Sequence, residues 1–282
     1  MTSRREFVAG TGAALAVAAL PARATRGLLE MDRIERIGVE LYTARAEMEK
    51  DVAGTLARVA RIGYRDVEFA GYFNWEPSKL RAVLDENRLT SPSVHTAIEI
   101  LEKDFAGAAA AAKVLGHETL IVPSLETRRL TTLESWKGIA RRFNALGRKA
   151  ADAGLQFAFH NHAVEPKLLN GFRPYDVLLG ETDPKLVYFQ MDLYWMIKAG
   201  GDPLAYFKSS PGRFISVHVK DGTAAPEIAQ RDVGAGAIDW KPIFAQRQQA
   251  GIRHFLVEHD DPTPDAFTSL TASYNYLSKL TF

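Results

Sequence analysis

The sequence predicts an α/β fold, a single (β/α)8 barrel, and three observations lead there. Short apolar runs alternate with longer amphipathic stretches eight times along the chain. Glycines stand just before strands, in Gly63-Tyr64, Gly116-His117, Gly154-Leu155 and Gly251-Ile252, where a helix ends in a left-handed residue. No Gly-x-Gly-x-x-Gly follows the first strand, as a doubly wound dinucleotide-binding sheet requires; the lone Gly10-x-Gly12 precedes it. Eight strand–helix units fit the ~250 residues of a closed barrel.

The elements follow in order. Strands are expected at Ile37–Tyr42, Asp66–Phe69, Ser93–Thr96, Thr119–Val122, Leu155–His160, Val187–Asp192, Phe214–Val219 and His254–Glu258. Helices are expected between them at Val52–Ile62, Pro77–Asn87, Lys103–Leu115 and Leu133–Ala153. Tyr175–Leu179, Pro203–Lys208, Trp240–Ala250 and Asp265–Leu280 complete the set. The helix from Leu133 has Thr131 and Thr132 as caps and apolar Ile139, Phe143, Leu146 and Ala150 at spacings of three and four. No Pro/Ser-rich linker interrupts the series, so residues 34–282 read as one domain.

The front end differs. Ser3-Arg4-Arg5-Glu6-Phe7-Val8, an uncharged stretch from Ala9 to Leu20, and Pro21-Ala22-Arg23-Ala24 have the layout of a cleaved export signal. The paired arginines resemble a twin-arginine leader, which predicts a periplasmic or otherwise exported protein handled by the twin-arginine machinery. The apolar run is too short for a membrane anchor, which needs ~20 residues. Residues 25–33 form a short lead-in. The formal charge of +1 becomes −1 for residues 25–282, because the leader holds three arginines and one glutamate. That balance does not advertise a nucleic-acid partner. Cysteine is absent, which excludes thiol nucleophiles, Fe–S clusters, thiolate zinc sites and disulfides.

Buried barrel strands should read as nearly pure Val, Ile and Leu. Six of these eight instead end in Glu68, His95, His160, Asp192, His218 and Glu258. Strand carboxyl ends converge on the face where barrels build active sites. Scattering the same groups at the opposite end would bury unpaired polar atoms. Asp192, His218 and Glu258 on three consecutive strands suit Mn²⁺, Mg²⁺, Zn²⁺, Co²⁺ or Fe²⁺. The neighbouring strand offers His160 and His162, two apart and so on one face, with Glu165 just beyond as a third choice for a fourth ligand.

Phe159-His160-Asn161-His162, Met191-Asp192-Leu193-Tyr194-Trp195, Val217-His218-Val219-Lys220-Asp221, Asp232–Asp239 and Leu256–Asp261 run in an order that resembles the xylose isomerase-like TIM barrels of the sugar phosphate isomerase/epimerase superfamily. The resemblance covers residues 34–280. It implies one divalent metal, Mn²⁺ foremost, held by residues from the fifth to eighth strands. Asp192, His218 and Glu258 match the last three positions, while His160 stands where better-known members have Glu. Trp195 likewise replaces a substrate-touching His of several sugar epimerases.

The implied chemistry is proton abstraction next to a carbonyl through an enediolate, by Glu258, His160 or His162, with Lys220 stabilising an oxyanion or protonating a leaving group. Glu68, His95, Trp195 and Arg231 are expected to touch a small carbohydrate or keto-sugar substrate. The first expectation is therefore a metal-dependent sugar isomerase or epimerase. The alternative on the same site is a lyase or dehydratase, eliminating from a keto sugar or 3-keto-glycoside. The non-enzyme alternative is a periplasmic sugar-binding barrel, which has no need of these groups converging. An endonuclease-like variant of the barrel would want more histidines and a basic groove.

Overall fold

The computed structural model describes residues 32–282. The expected leader, residues 1–24, lies outside them. Eight parallel strands close into a barrel: β1 Ile37–Glu40, β2 Asp66–Phe69, β3 Thr90–His95, β4 Thr119–Val122, β5 Gln156–His160, β6 Val187–Asp192, β7 Phe214–Val219 and β8 His254–Val257. Each strand pairs with its sequence neighbours, and β1 closes on β8 with Val39 opposite Val257. Helices connect the strands throughout.

The helices depart from expectation where a local cap intervenes. β1 stops at Glu40 rather than Tyr42, because the Glu40 carboxylate accepts from the Tyr42 amide at 3.2 Å and starts a 3-10 turn, Leu41–Ala44. The helix expected at Lys103–Leu115 is present as Phe105–Leu115, preceded by an unexpected short helix, Ile98–Lys103. Asp104 divides them by accepting from the Gly107 amide at 2.9 Å, a side-chain cap that competes with helix continuation. Trp240–Ala250 likewise breaks at Gln246. Leu133–Asp152 is continuous, with a Thr132/Ser135 capping box at its start.

Two polar-to-apolar boundaries organise the interior. Outward residues such as Val67, Phe69, Val122, Phe157, Phe159, Val217 and Val219 are buried against the helices and form the main core. Inside the barrel, a small plug of Ile121, Ala158 and Ile215, backed by Tyr188, stands apart from that core. The rest of the lumen is polar. Gln190 of β6 donates to Glu68 of β2, four strands away, so both side chains must cross the barrel interior.

Candidate active site

Alternation along the strands decides which groups meet. Glu68 and, two residues apart on their strands, Gln190 with Asp192 and His218 with Lys220 all face inward near the carboxyl ends. Glu68 is fully buried and accepts from Gln190 Nε2 at 2.8 and 3.0 Å, from His218 Nε2 at 2.7 Å and from Ser93 Oγ. His95 Nε2 lies 3.1 Å from its Oε1. Burial opposes its charge, but the charges and hydrogen bonds of His95 and His218 hold its carboxyl well below the usual range. Glu40 behaves oppositely: burial and the charge of Glu68 push its pKa well above the usual range, which keeps it protonated.

Above this layer sits a cluster from three consecutive strands, β5 to β7, and the loop after β8. His218 Nδ1 is 2.7 Å from Glu258 Oε2. Despite burial, the charges of Glu258 and Glu68 push His218 up to about 10. The Lys220 ammonium, 1% exposed, lies 2.8 Å from Glu258 Oε2, 2.8 Å from Asp260 Oδ1 and 3.2 Å from Asp192 Oδ2. Those carboxylates raise its pKa against the pull of burial. Burial lifts Asp192 to about 6 even beside Lys220, with Glu258 adding repulsion. Glu258, though buried, is held well below its ordinary value by Lys220 and His218.

The tautomer of His160 follows from its neighbour. Gln190 Nε2 is committed to Glu68 and Ser216, so its Oε1 must accept, and His160 Nδ1 donates to it at 3.0 Å. His160 Nε2 then carries a lone pair, and burial, followed by repulsion from its histidine neighbours, keeps the ring neutral. That lone pair faces Asp192 Oδ2 across 3.9 Å. Asp192 Oδ2 is buried and makes no hydrogen bond, since the ammonium beside it is not aimed at it, while Oδ1 caps the helix Leu193–Lys198 through the Trp195 amide.

Two acceptors facing each other with no hydrogen bond between them are the kind of pair that would hold a divalent cation. Asp192, His218 and Glu258 offer ligand atoms all within 4.8 Å of one another. His218 would give Nδ1 to the ion while Nε2–H stays on Glu68, the carboxylate–histidine–metal arrangement that orients ligands. The donor set therefore fits one divalent ion; His160 Nε2 stands 3.9 Å from Asp192 Oδ2, and the ring also groups with His95 and His218 as a second candidate ligand set. Glu165 is turned away, accepting from the His162 amide at 2.9 Å.

His95, His160, His162 and Glu258 line a cavity of about 920 Å³ that opens at the strand carboxyl ends. No described hydrogen bond engages the His162 ring, and burial with the Lys220 charge lowers its pKa to about 4, leaving it neutral. Other expected contacts lie elsewhere. Glu68 is covered by its partners and reaches no cavity surface. Trp195 is not in the lining; its ring packs 5.6 Å from Lys220 Nζ and 6.1 Å from the His162 ring. Arg231 is exposed outside the cavity and donates to the Gln230 carbonyl.

Four contributors escaped the sequence reading: Glu40, Gln190, Asp221 and Asp260. The Asp221 carboxylate gathers the amides of Gly222, Gly234, Gly236 and Ile238 and the Trp240 indole N–H, fixing the loop after Lys220. A Cβ at Gly236 would collide with that carboxylate, so the glycine there is required by close approach. Gln190 and Asp221 each stand within two residues of a singled-out residue, which was the available signal.

A closed (β/α)8 barrel with carboxylates and imidazoles at its strand ends defines an enzyme class, and residues 56–276 match the xylose isomerase-like TIM barrel family. The chain belongs to that family. An inosose dehydratase of Clostridium beijerinckii is 25% identical over 67% of this chain and 75% of its own length. One of Clostridium tetani is 28% identical over 43% of this chain; the match spans 46% of that relative, less than half its length. A sugar phosphate isomerase/epimerase structure from Parabacteroides distasonis superposes with a TM-score of 0.76 at 26% identity, covering 87% of this chain and 98% of that one.

Proposed function

We propose that this chain is a divalent-metal-dependent lyase that abstracts a proton beside the carbonyl of a keto sugar and expels an oxygen substituent from the next carbon. The observation that carries this reading is the meeting of His160 Nε2 and the unpartnered Asp192 Oδ2 with His218 and Glu258, beside an uncommitted imidazole and a buried ammonium. His160, Asp192, His218 and Glu258 would hold the ion, with Mn²⁺ placed first, and a bound ion would supply Lewis-acid polarisation of the substrate carbonyl.

The chain's own groups divide the remaining work. His162, neutral and free at the cavity wall, takes the proton. Lys220, kept charged by three carboxylates and buried behind the cavity wall, stabilises through its field the negative charge that grows on the enolate oxygen. The C–H pair becomes the new C=C bond, the C–O bond breaks, and the proton on His162 leaves with the departing oxygen. A keto sugar thus gives an unsaturated ketone and water.

Isomerisation or epimerisation, the first expectation from sequence, shares the enolate but must return the proton elsewhere. Epimerisation needs a second free acid–base group on the opposite face, and isomerisation needs a second group to move the proton between the two oxygens. His95 is tied to Gln190 and Glu68, and Glu258 to His218 and Lys220. The dehydratase names of the relatives support elimination as well. Incubation with keto sugars and Mn²⁺ in D₂O tests the choice: an unsaturated product is expected, whereas solvent deuterium in an otherwise intact or epimerised sugar overturns it. Export belongs to the same proposal and favours an unphosphorylated substrate; replacing Arg4 and Arg5 by lysines should then abolish export of the full chain.

A further inference from the structure

The cavity has two unlike halves. The histidines, Glu258 and Asp260 make one of them polar, whereas the loops and helices after β3 and β4 supply Ala97, Ile100, Gly107, Ala108, Ala111 and Pro123, with two hydroxyls from Thr96 and Ser124. Gly107, Ala108 and Ala111 share a face of the helix Phe105–Leu115, at spacings of three and four, so this wall offers nothing beyond methyl groups. Ile100, 55% exposed, continues it. A sugar ring carries hydroxyls around its rim and would find only the Thr96 and Ser124 hydroxyls as side-chain partners on this half, and none on the helix face. At about 920 Å³ the space reaches the upper end of the ~300–1,000 Å³ that holds drug-sized ligands, so one sugar ring does not fill it. Tyr42, 41% exposed and backed by the Arg45 guanidinium 4.3 Å from its ring centre, adds an aromatic face to the same cavity.

We propose that this apolar compartment receives a flat, apolar group joined through oxygen to the reacting keto sugar, so that the natural leaving group is an aryl or alkyl alcohol rather than hydroxide. The inference rests on the lyase reading for its chemistry. The C–H bond beside the carbonyl breaks to His162, its electron pair forms the C=C bond, and the bond from carbon to the bridging oxygen breaks. The departing alkoxide or phenoxide takes the proton from His162 and leaves as the alcohol. No oxidant or other co-reactant is consumed.

Binding tests the compartment apart from the chemistry. Titration of the chain with phenyl β-glucoside and methyl β-glucoside, neither of which carries a ketone, should show the phenyl compound binding roughly tenfold tighter or more. Ala111→Phe, which fills the compartment, and Ile100→Asp, at an exposed position that spares folding, should each remove most of that preference and leave methyl glucoside binding unchanged. Equal binding of the two glucosides by the wild type, or a preference that survives both substitutions, overturns the proposal. If the preference appears but the corresponding 3-keto-glycosides give no unsaturated ketone with Mn²⁺ present, the compartment stands and the lyase reading falls.

Discussion

The barrel carries a polar cluster around a buried carboxylate at each end, and the two are built on different terms. At the lower rim Asp66 Oδ1 accepts from Arg36 at 2.6 and 3.0 Å and from Thr90 Oγ1 at 2.6 Å. Burial works against Asp66, but His254, Arg36 and Thr90 bring it down to about 2. At the upper end Asp192 is pushed up to about 6 and leaves one buried oxygen without a hydrogen bond. Glu68, two residues from Asp66 on the same strand, belongs to the upper network. Burial and charge alone thus do not separate a staple from a site. What separates them is the kind of spare capacity: at the lower rim Arg36 and Thr90 hold the Asp66 carboxylate and His254 Nδ1 is left without a hydrogen bond, whereas in the upper cluster a carboxylate oxygen and an imidazole lone pair face each other.

The sharpest way to break this contrast is Glu258→Gln, which should lower turnover roughly a thousandfold or more, as loss of a ligand-forming carboxylate does, with an unchanged circular dichroism spectrum. Near-wild-type turnover would return Glu258 to a structural role. Next is Lys220→Met, which leaves Asp192, Glu258 and Asp260 without their shared cation. Metal-free protein should lose about 3 kcal/mol. Mn²⁺ should then raise the Tm of Lys220→Met more than that of the wild type; an equal rise on thermal unfolding speaks against a shared charge role.

The lower cluster makes a pH prediction of its own. The folded pKa of Asp66 lies below the value of ~3.9 expected in the unfolded chain. Its stabilisation, about 2 kcal/mol, is therefore fully present above pH ~4 and is lost as pH falls toward 2. Asp66→Asn should remove that part of the acid sensitivity in urea unfolding while turnover at pH 7 stays unchanged. The smallest effect is expected for Arg231→Ala, exposed and outside the cavity: kcat/KM should stay within about twofold.

Much of this was legible in the sequence, for identifiable reasons. The strands were readable because apolar runs and helix-ending glycines mark them, and Gly116 and Gly251 do adopt left-handed backbone at φ 80° and 92°. Asp192, His218 and Glu258 were readable because an ionisable residue ending an apolar run is costly unless it works. Glu40 was hidden inside such a run, Ile37–Tyr42, where its neighbours dominate the pattern. Gln190 does not titrate, so a search for acids and bases passes over it, although it fixes the tautomer of His160. The helix Ile98–Lys103 was missed because six residues are too few to show an apolar periodicity.

The central claim is that the upper cluster holds a cation and the lower does not. Titration calorimetry of chelator-stripped protein with Mn²⁺ tests it most directly, across the wild type, Asp192→Asn and Asp66→Asn. The account predicts one ion per chain, proton release on binding as His218 surrenders Nδ1–H, at least roughly tenfold weaker binding in Asp192→Asn, and no change in Asp66→Asn. Absence of binding in the wild type, or equal weakening by the two substitutions, would contradict it.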